Sequence, residues 1–311
     1  MAKIAVIGAG MVGRAWAIVF ARAGHPVSIC VRKKEAAPEI VRAMGAMLSD
    51  LHAQGLLNES CEAVLGRIEI TDSLAEALRG ATYAQENIHE SLAAKKEIFA
   101  AMDELAAPGT ILASSTSAIP ASAFSENLKG RHRCLVAHPV NPPHVVPLVE
   151  LAPAPWTDAD VVARSFAFHE SLGQVPIVVR KEIPGFILNR LQGALLNEAF
   201  RLVEEGYATL EDIDKTIANG LGLRWSFMGP FETIDLNAPG GISDYARRYG
   251  PFYHSMAKAQ KPPEPWSDAL IAKLETERRG ILPTQDRSAR QAWRDRRLMA
   301  LAQHKRKQKP Q

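Results

Sequence analysis

The sequence predicts an α/β fold in which a doubly wound sheet is followed by an all-α domain. Short apolar runs alternate with helical stretches through the first half of the chain, as in parallel βαβ units. From Pro184 onward the apolar residues recur with helical periodicity. A domain boundary is therefore expected in the segment KEIP, between an α/β domain at 1–183 and a helical domain at 184–311.

Each element rests on its own local pattern. Short apolar runs predict strands at 4–7, 27–31, 67–71, 82–85, 110–114, 133–137 and 148–151. Helices are predicted between these strands at 34–54, 73–78 and 92–105. The first is followed by Gly55, and the last is amphipathic. In the second half, helical periodicity predicts helices at 186–205, 210–219, 234–249, 267–278 and 287–305. The segment 250–266 is rich in Pro and Lys, and is predicted to be a loop.

The composition is that of an ordinary globular protein with enough apolar material for a core. The chain has 311 residues, of which 47% are hydrophobic and 23% are charged. A net charge of +3 is too small to indicate a nucleic-acid partner. No apolar run approaches the ~20 residues that span a bilayer, so no membrane partner is expected.

The cysteines indicate a reducing compartment. Cys30, Cys61 and Cys134 are odd in number, scattered and without metal-ligand spacing, so we expect free thiols and no metal site. The N-terminus leads directly into a predicted core strand, and no signal peptide is expected. Together these features predict a cytoplasmic protein.

A glycine-rich turn joins the first strand to the first helix. Gly8 allows a tight turn, Gly10 lacks the Cβ that would block a phosphate, and Gly13 allows the helix to approach the strand. A G-x-G-x-x-G motif alone is weak evidence and also suits a structural turn. The strand before it and the helix after it favour a Rossmann-type dinucleotide-binding domain, with the pyrophosphate at the helix N-terminus. The predicted cofactor-binding residues of the turn are Gly8, Gly10, Met11, Val12 and Gly13.

His138 and Glu150 form the first candidate catalytic pair. His138 follows an apolar strand and precedes a Pro-rich loop, which places it at the ligand-binding carboxyl edge of an open sheet. A lone His there is more often structural, although it suits general acid–base chemistry. Glu150 lies within the apolar run PLVELAP, where a carboxylate is costly unless paired. Next to His138, Glu150 would orient the ring and stabilise the imidazolium.

Two polar residues are candidates for substrate contact. Ser117, just past a strand end, could donate a hydrogen bond to a substrate oxygen, but its local sequence alone favours an N-cap or turn residue. Asn189 lies early in an apolar helix, where an amide seeks a specific partner. That partner could be a substrate or another helix.

The segments around these residues together resemble a known family. GAGMVG, SSTSAIP, AHPVNPP, LVEL and PGFILNRL occur here in the order found in the 3-hydroxyacyl-CoA dehydrogenase superfamily, over nearly the whole chain. RLVEEG, GLGLR and RQAWRD make the chain most similar to the lambda-crystallin branch, whose activity is L-gulonate 3-dehydrogenase. The resemblance implies a Rossmann domain followed by a helical domain that closes the substrate cleft and forms a homodimer.

The same resemblance implies roles for individual residues. His138 would be the general base in alcohol oxidation, with Glu150 as its electrostatic partner. Ser117 and Asn189 would hold the substrate oxygen. Positions that line the cofactor in the family correspond to Glu90, Lys95, Ser117 and Asn141.

Arg224 distinguishes the chain from acyl-CoA enzymes. It lies in GLGLRWSFMGP, which is longer than the corresponding acyl-CoA-type segment, and an inserted Arg can bind a substrate carboxylate bidentately. A surface salt bridge is the alternative. The region 34–66 is too short and too sparse in Lys for the helical hairpin that grips CoA in the family. A small hydroxy acid is therefore the expected substrate.

The end of the second strand departs from the family pattern. Val31 stands where the family carries the acidic residue that binds the adenosine ribose, and Arg32 with two lysines follows. A solvated charge run is the alternative, but it does not explain the missing acid. Cations at this position suit a 2′-phosphate, so the cofactor is expected to be NAD(P), with NADP slightly favoured.

These features predict an NAD(P)-dependent dehydrogenase that oxidises the 3-hydroxyl of a small, L-gulonate-like hydroxy acid to a ketone. A 3-hydroxyacyl-CoA or carnitine-type dehydrogenase is the alternative enzyme. A non-catalytic, crystallin-like structural protein is the alternative of another class. Retention of Ser117, His138, Glu150 and Asn189 argues against lost chemistry.

Overall fold

A computed structural model describes residues 2–260 and 264–308. The chain divides into two compact units. The first unit comprises residues 1–190 together with 289–311, and the second comprises 191–288. The units differ from the predicted domains at the C-terminal end, because the last helix groups with the first unit.

The first unit is built on one eight-stranded sheet. The strand order is β3-β2-β1-β4-β5-β6-β7-β8, so the connection direction reverses between β1 and β4. Ligands bind at such a switch point, outside the carboxyl ends of the strands. The strands are β1 (Lys3–Ile7), β2 (Val27–Cys30), β3 (Ile68–Thr71), β4 (Ala81–Glu86), β5 (Ile111–Ser114), β6 (Cys134–Pro139), β7 (Leu148–Pro153) and β8 (Val175–Val178).

Helices cover both faces of this sheet, because successive strand residues point to opposite sides. In β1, Ile4 and Val6 join one hydrophobic cluster, whereas Ala5 and Ile7 join the other. Met299 of the last helix packs into the same cluster as Ile4, which explains why that helix belongs to this unit. The helices of the unit are α1 (Met11–Arg22), α2 (Ala37–Ala53), α3 (Cys61–Leu65), α4 (Leu74–Leu78), α5 (Leu92–Leu105), α6 (Ala121–Ser125), α7 (Ala159–Ser171), the start of α8 (Leu188–Glu204) and most of α14 (Arg287–Lys307).

The predicted α/β fold class is confirmed, with one reversal in the sheet. All neighbouring strands are parallel except β6 and β7, which are antiparallel. The predicted parallel βαβ units hold for strands joined through a helix, whereas β7 follows β6 without a helix and runs antiparallel to it. Three helices and one strand of the first unit were not predicted. Three of them are short, and the fourth, α7, mixes apolar and polar residues. They are α3, α6, α7 and β8.

The second unit is helical, as predicted. Its elements are the remainder of α8, α9 (Leu210–Thr216), a π-helical turn (Ile217–Leu221), α10 (Gly222–Trp225), α11 (Pro230–Leu236), α12 (Gly241–Ala259) and α13 (Asp268–Ile281). Few of its side chains are buried. Large apolar side chains lie exposed instead, including Phe231 at 74% and Leu236 at 67%. No helix within the described residues is long and apolar enough to cross a membrane.

The predicted loop at 250–266 was wrong over its first ten residues. Helix α12 continues to Ala259 with Pro251 in its interior. Aromatic residues at helical spacing lie on both sides of the proline: Tyr245 packs on Tyr249 with ring centroids 4.6 Å apart, and its hydroxyl lies 2.9 Å from that of Tyr253. Residues 261–263 of the predicted loop lie outside the described residues.

Candidate active site

The glycine turn after β1 forms an open cradle. Gly8 has φ +98°, and a Cβ on it would lie 2.9 Å from the carbonyl oxygen of Asn87. A Cβ on Gly13 would lie 2.0 Å from the carbonyl oxygen of Gly8, so α1 can approach the turn only through a glycine. A Cβ on Gly10 would meet nothing within 4 Å. Gly10 caps α1 without a side-chain hydrogen bond. The N–H groups at this helix end and the space beside Gly10 fit a dinucleotide pyrophosphate.

The loop after β6 reaches this cradle. Asn141 lies in that loop and donates a hydrogen bond from Nδ2 to the Sδ atom of Met11, at 3.4 Å. Met11 is the first residue of α1. The predicted cofactor residues Met11 and Asn141 are therefore neighbours, and the strand that carries His138 ends beside the glycine turn.

The end of β2 carries cations. The backbone N–H of Val31 donates to the carbonyl oxygen of Thr71, which continues the sheet ladder by one residue. Val31 is half-buried, whereas Arg32, Lys33 and Lys34 are exposed. A residue after the second strand is where a Rossmann domain reads the adenosine ribose. That position holds no carboxylate here, and its immediate neighbours are positive.

His138 and Glu150 face each other across the antiparallel strands β6 and β7. They are register partners, so their side chains project from the same face of the sheet. His138 Nδ1 lies 2.8 Å from Glu150 Oε2, and both side chains are buried. Because Nδ1 faces a carboxylate, we assign the ring hydrogen to Nδ1. Nε2 then carries no hydrogen and can accept a proton.

Glu150 has further partners at the start of α8. Its Oε1 accepts hydrogen bonds from the backbone N–H groups of Ile187 and Leu188, at 2.8 and 2.9 Å. Burial alone would raise the pKa of Glu150, but hydrogen bonds from His138 and these N–H groups outweigh it and lower the pKa. Phe186, just before them, is buried at φ +50°, and its ring centroid lies 5.5 Å from that of His138. This left-handed residue turns the chain so that the two N–H groups point at the carboxylate.

Ser117 and Asn189 are brought together. Asn189 Nδ2 donates to the backbone carbonyl oxygen of Ser117 at 2.7 Å, and the Ser117 side chain is exposed. Asn189 directly follows the residues that bind Glu150. All four predicted catalytic residues therefore belong to one connected set of contacts.

Glu90 holds the loop that contains Ser117. Its Oε1 accepts hydrogen bonds from the Thr116 hydroxyl and from the backbone N–H groups of Ser117 and Ala118, the latter two at 3.0 and 3.2 Å. Burial would raise the pKa of Glu90, but the Thr116 hydrogen bond, the Lys95 charge and these N–H groups lower it. The carboxylate is therefore charged near neutral pH, next to the cofactor-lining position implied for Lys95.

Three residues of this region were missed by the sequence analysis: Glu86, Ser114 and Thr116. Glu86 ends β4 and is fully buried, with its Oε2 2.9 Å from Lys95 Nζ. Ser114 ends β5, and its hydroxyl donates to the same oxygen at 2.5 Å. The sequence signal was weak, because Glu86 ends the mixed segment ATYAQE, which contains the polar residues Thr82 and Gln85, whereas Glu150 interrupts the apolar run PLVELAP.

Arg224 lies in the second unit. It belongs to the short helix α10, and its side chain is exposed. Its proposed contact with a substrate carboxylate stays a prediction.

Comparisons with known proteins agree with this geometry. The family model for the 3-hydroxyacyl-CoA dehydrogenase NAD binding domain matches residues 3–183, and the model for the C-terminal domain matches 185–280. The lambda-crystallin homolog of Rattus norvegicus is 38% identical over 99% of this chain and 98% of its own length. The L-carnitine dehydrogenase of Streptomyces coelicolor is 35% identical over 88% of this chain and 83% of its own.

A solved structure covers the whole chain. That of 5-formyl-3-hydroxy-2-methylpyridine 4-carboxylic acid 5-dehydrogenase, an NAD+-dependent dismutase, superposes with a TM-score of 0.87 at 28% identity. The match covers 99% of this chain and 100% of the other.

The two glycines of the cradle make a matched pair of variants. Gly13→Ala places a methyl group against the Gly8 carbonyl. We expect it to destabilise the fold by about 1–3 kcal/mol, as overpacking does.

Gly10→Ala fills open space at the cradle, so we expect an unchanged melting temperature and weaker binding of the reduced cofactor. Thermal denaturation and fluorescence titration measure the two effects. Unchanged cofactor affinity in Gly10→Ala would contradict the assignment of this space to the pyrophosphate.

Proposed function

The chain belongs to the 3-hydroxyacyl-CoA dehydrogenase family, and we propose that it oxidises the 3-hydroxyl of a small, L-gulonate-like hydroxy acid to a ketone with NAD(P). The observation that carries the proposal is the buried His138–Glu150 pair at 2.8 Å, on a strand whose following loop touches the first residue of α1. A poised base thus lies on the strand that ends beside the glycine cradle.

The proposed roles follow from the contacts. His138 Nε2 takes the hydroxyl proton, and Glu150 stabilises the imidazolium that forms. The nicotinamide, when bound, supplies the hydride acceptor. Ser117 and Asn189 hold the substrate oxygen, with the Asn189 amide anchored on the Ser117 carbonyl. Glu150 cannot move to follow the proton, because its second oxygen is held by two backbone N–H groups.

A small acidic substrate is favoured by the relatives and by Arg224. The compound named for the solved structure that covers 99% of this chain is a carboxylic acid, and the lambda-crystallin homolog of Rattus norvegicus also covers 99% of it. Arg224 is exposed and so accessible to a ligand carboxylate. A 3-hydroxyacyl-CoA or carnitine-type activity is the second candidate, because an L-carnitine dehydrogenase is 35% identical to this chain.

We also propose a cytoplasmic homodimer. The second unit exposes Phe231, Leu236, Phe252 and other large apolar side chains, which is more than a monomer usually leaves in water. A second copy that covers them fits this surface. All three cysteines are free thiols, as expected in a reducing compartment.

His138→Ala tests the base. We expect turnover of the hydroxy acid to fall by ~10²–10⁴-fold, the usual share of general acid–base catalysis, while the affinity for reduced cofactor stays nearly unchanged. Initial rates at 340 nm and a fluorescence titration measure the two quantities. Wild-type turnover in this variant would show that His138 is not the base. A wild-type protein that turns over no hydroxy acid would favour the structural, crystallin-like alternative.

Arg224→Met tests the carboxylate contact. A hydrogen bond to a charged group contributes ~1.5–3 kcal/mol, so we expect KM for the hydroxy acid to rise roughly ten- to hundredfold. KM for the uncharged amide of the same acid should change little. An equal rise for both compounds would assign Arg224 a structural role.

NADP is slightly favoured over NAD at the end of β2. Val31 offers no acceptor to the adenosine ribose, and Arg32 is exposed and positive where a 2′-phosphate would lie. Family relatives with NAD in their names weigh on the other side. The comparison of kcat/KM with the two cofactors decides between them.

We expect kcat/KM to be higher with NADP than with NAD. Val31→Asp combined with Arg32→Ile should reverse the preference, because the new carboxylate accepts the ribose hydroxyls and repels a 2′-phosphate. The control is His138→Ala, whose cofactor preference in binding should match the wild type. A tenfold preference of the wild type for NAD, about 1.4 kcal/mol, would contradict the proposal that the cations after β2 bind a 2′-phosphate.

A further inference from the structure

Glu86 is a fully buried carboxylate that the reaction proposed above does not use. Its Oε1 accepts the backbone N–H of Ile88 at 2.6 Å, and its Oε2 accepts the Ser114 hydroxyl. Lys95 Nζ donates to both oxygens, at 3.1 and 2.9 Å. We propose that Glu86 is a positioning residue, which acts through Lys95 and Glu90 to hold the loop of residues 116–118 in its substrate- and cofactor-binding form.

The first step is the sharing of Lys95 between two carboxylates. Lys95 is 99% buried, and its Nζ lies 3.5 Å from Glu90 Oε2 as well as 2.9 Å from Glu86 Oε2. Glu86 is fully buried and also binds the Ile88 N–H and the Ser114 hydroxyl, whereas the Glu90 side chain is 43% exposed. Glu86 is therefore the more constrained carboxylate, and in the proposal it sets the location of the Lys95 ammonium and, through it, that of Glu90.

The second step runs from Glu90 to the loop. The Glu90 carboxylate accepts hydrogen bonds from the Thr116 hydroxyl and from the N–H groups of Ser117 and Ala118. These bonds fix the direction of the Ser117 carbonyl, which accepts the amide of Asn189. Both residues proposed to hold the substrate oxygen therefore depend on where Glu90 lies.

A second buried ion pair in the same unit serves as a comparison. Arg133 donates to Asp103 Oδ1 at 2.8 Å, and both side chains are largely buried. Arg133 directly precedes β6, so this pair lies at the amino end of the strands, away from the carboxyl edge. The other partners of this pair are backbone groups. Asp103 accepts the N–H of Gly130, and Arg133 donates to the carbonyl oxygen of Ala107. It stabilises the fold but leads to no predicted site residue.

The test compares Glu86→Gln with Asp103→Asn in the full chain. Each variant keeps the side-chain shape and removes the charge of the carboxylate nearest to a buried cation, so both should lower the melting temperature. In Glu86→Gln the carboxamide N–H faces the donors Lys95 and Ser114, so their hydrogen bonds are lost. The Lys95 ammonium then pairs with Glu90 instead and draws that carboxylate away from the loop. We expect hydrogen exchange of the peptide covering residues 115–119, read by mass spectrometry, to quicken roughly tenfold or more. In Asp103→Asn this peptide should exchange as in the wild type.

Kinetics give a second readout, which rests on the proposed function. Glu86→Gln should raise KM for hydroxy acid and cofactor and lower kcat, whereas Asp103→Asn should leave all three unchanged at temperatures where it is folded. If both variants exchanged alike at 115–119, Glu86 would be a stabilising residue only and the proposal would be wrong. The exchange measurement needs no substrate, so it decides the role of Glu86 even if the wild type oxidises no hydroxy acid.

Ser114→Ala is the milder variant should Glu86→Gln not fold. It removes the hydroxyl hydrogen bond to Glu86 Oε2 and the acceptor of the Thr116 backbone N–H, and it leaves every charge in place. The readout is therefore the exchange of the Ser117 and Ala118 amides, which donate to Glu90 and not to Ser114, and we expect a smaller quickening there than in Glu86→Gln. No change there, with a lowered melting temperature, would again overturn the positioning role.

Discussion

One buried carboxylate, that of Glu150, holds together the elements that form the candidate site. It is fully buried, and it binds the His138 ring with one oxygen and two backbone N–H groups of the α8 start with the other. Hydrogen bonds lower its pKa against the effect of burial, so it stays charged. A buried charge is tolerated only when paired, and removal of any partner is costly. Strands β6 and β7 and the helix that carries Asn189 are therefore constrained as one group.

The reversal of β7 makes this arrangement possible. Because β7 runs antiparallel to β6, a short connection at 140–147 returns the chain at the carboxyl edge of the sheet. Register then sets Glu150 opposite His138, with both side chains on one face. The same connection carries Asn141 to the first residue of α1. A parallel β7 would need a long crossover, and this loop would not lie beside the glycine turn.

Patterns local in sequence predicted most of the fold and part of the site. The glycine turn and His138 at a strand end were recognisable because strand, turn and helix follow one another directly along the chain. Glu150 was found because a carboxylate interrupts an apolar run. The direction of β7 was overlooked, although the ten residues between the predicted strands 133–137 and 148–151 are too few for a parallel crossover. Glu86 was overlooked because it ends a segment that also contains Thr82 and Gln85, so it does not interrupt an apolar run. Helix α12 continued beyond the prediction although it contains Pro251, because the Pro- and Lys-rich composition of 250–266 had been interpreted as a loop.

The sheet separates the residues proposed for chemistry from those proposed to select the cofactor. His138 and Glu150 lie on β6 and β7, whereas Val31 and Arg32 follow β2, on the other side of the switch point between β1 and β4. No hydrogen bond among the described residues links Arg32 to the Glu150 contacts or to those of Glu86. Selection at the ribose can therefore change while the buried carboxylates stay as they are. A cationic end of β2 without a carboxylate at Val31 therefore occurs in the same chain as a buried, hydrogen-bonded His138–Glu150 pair.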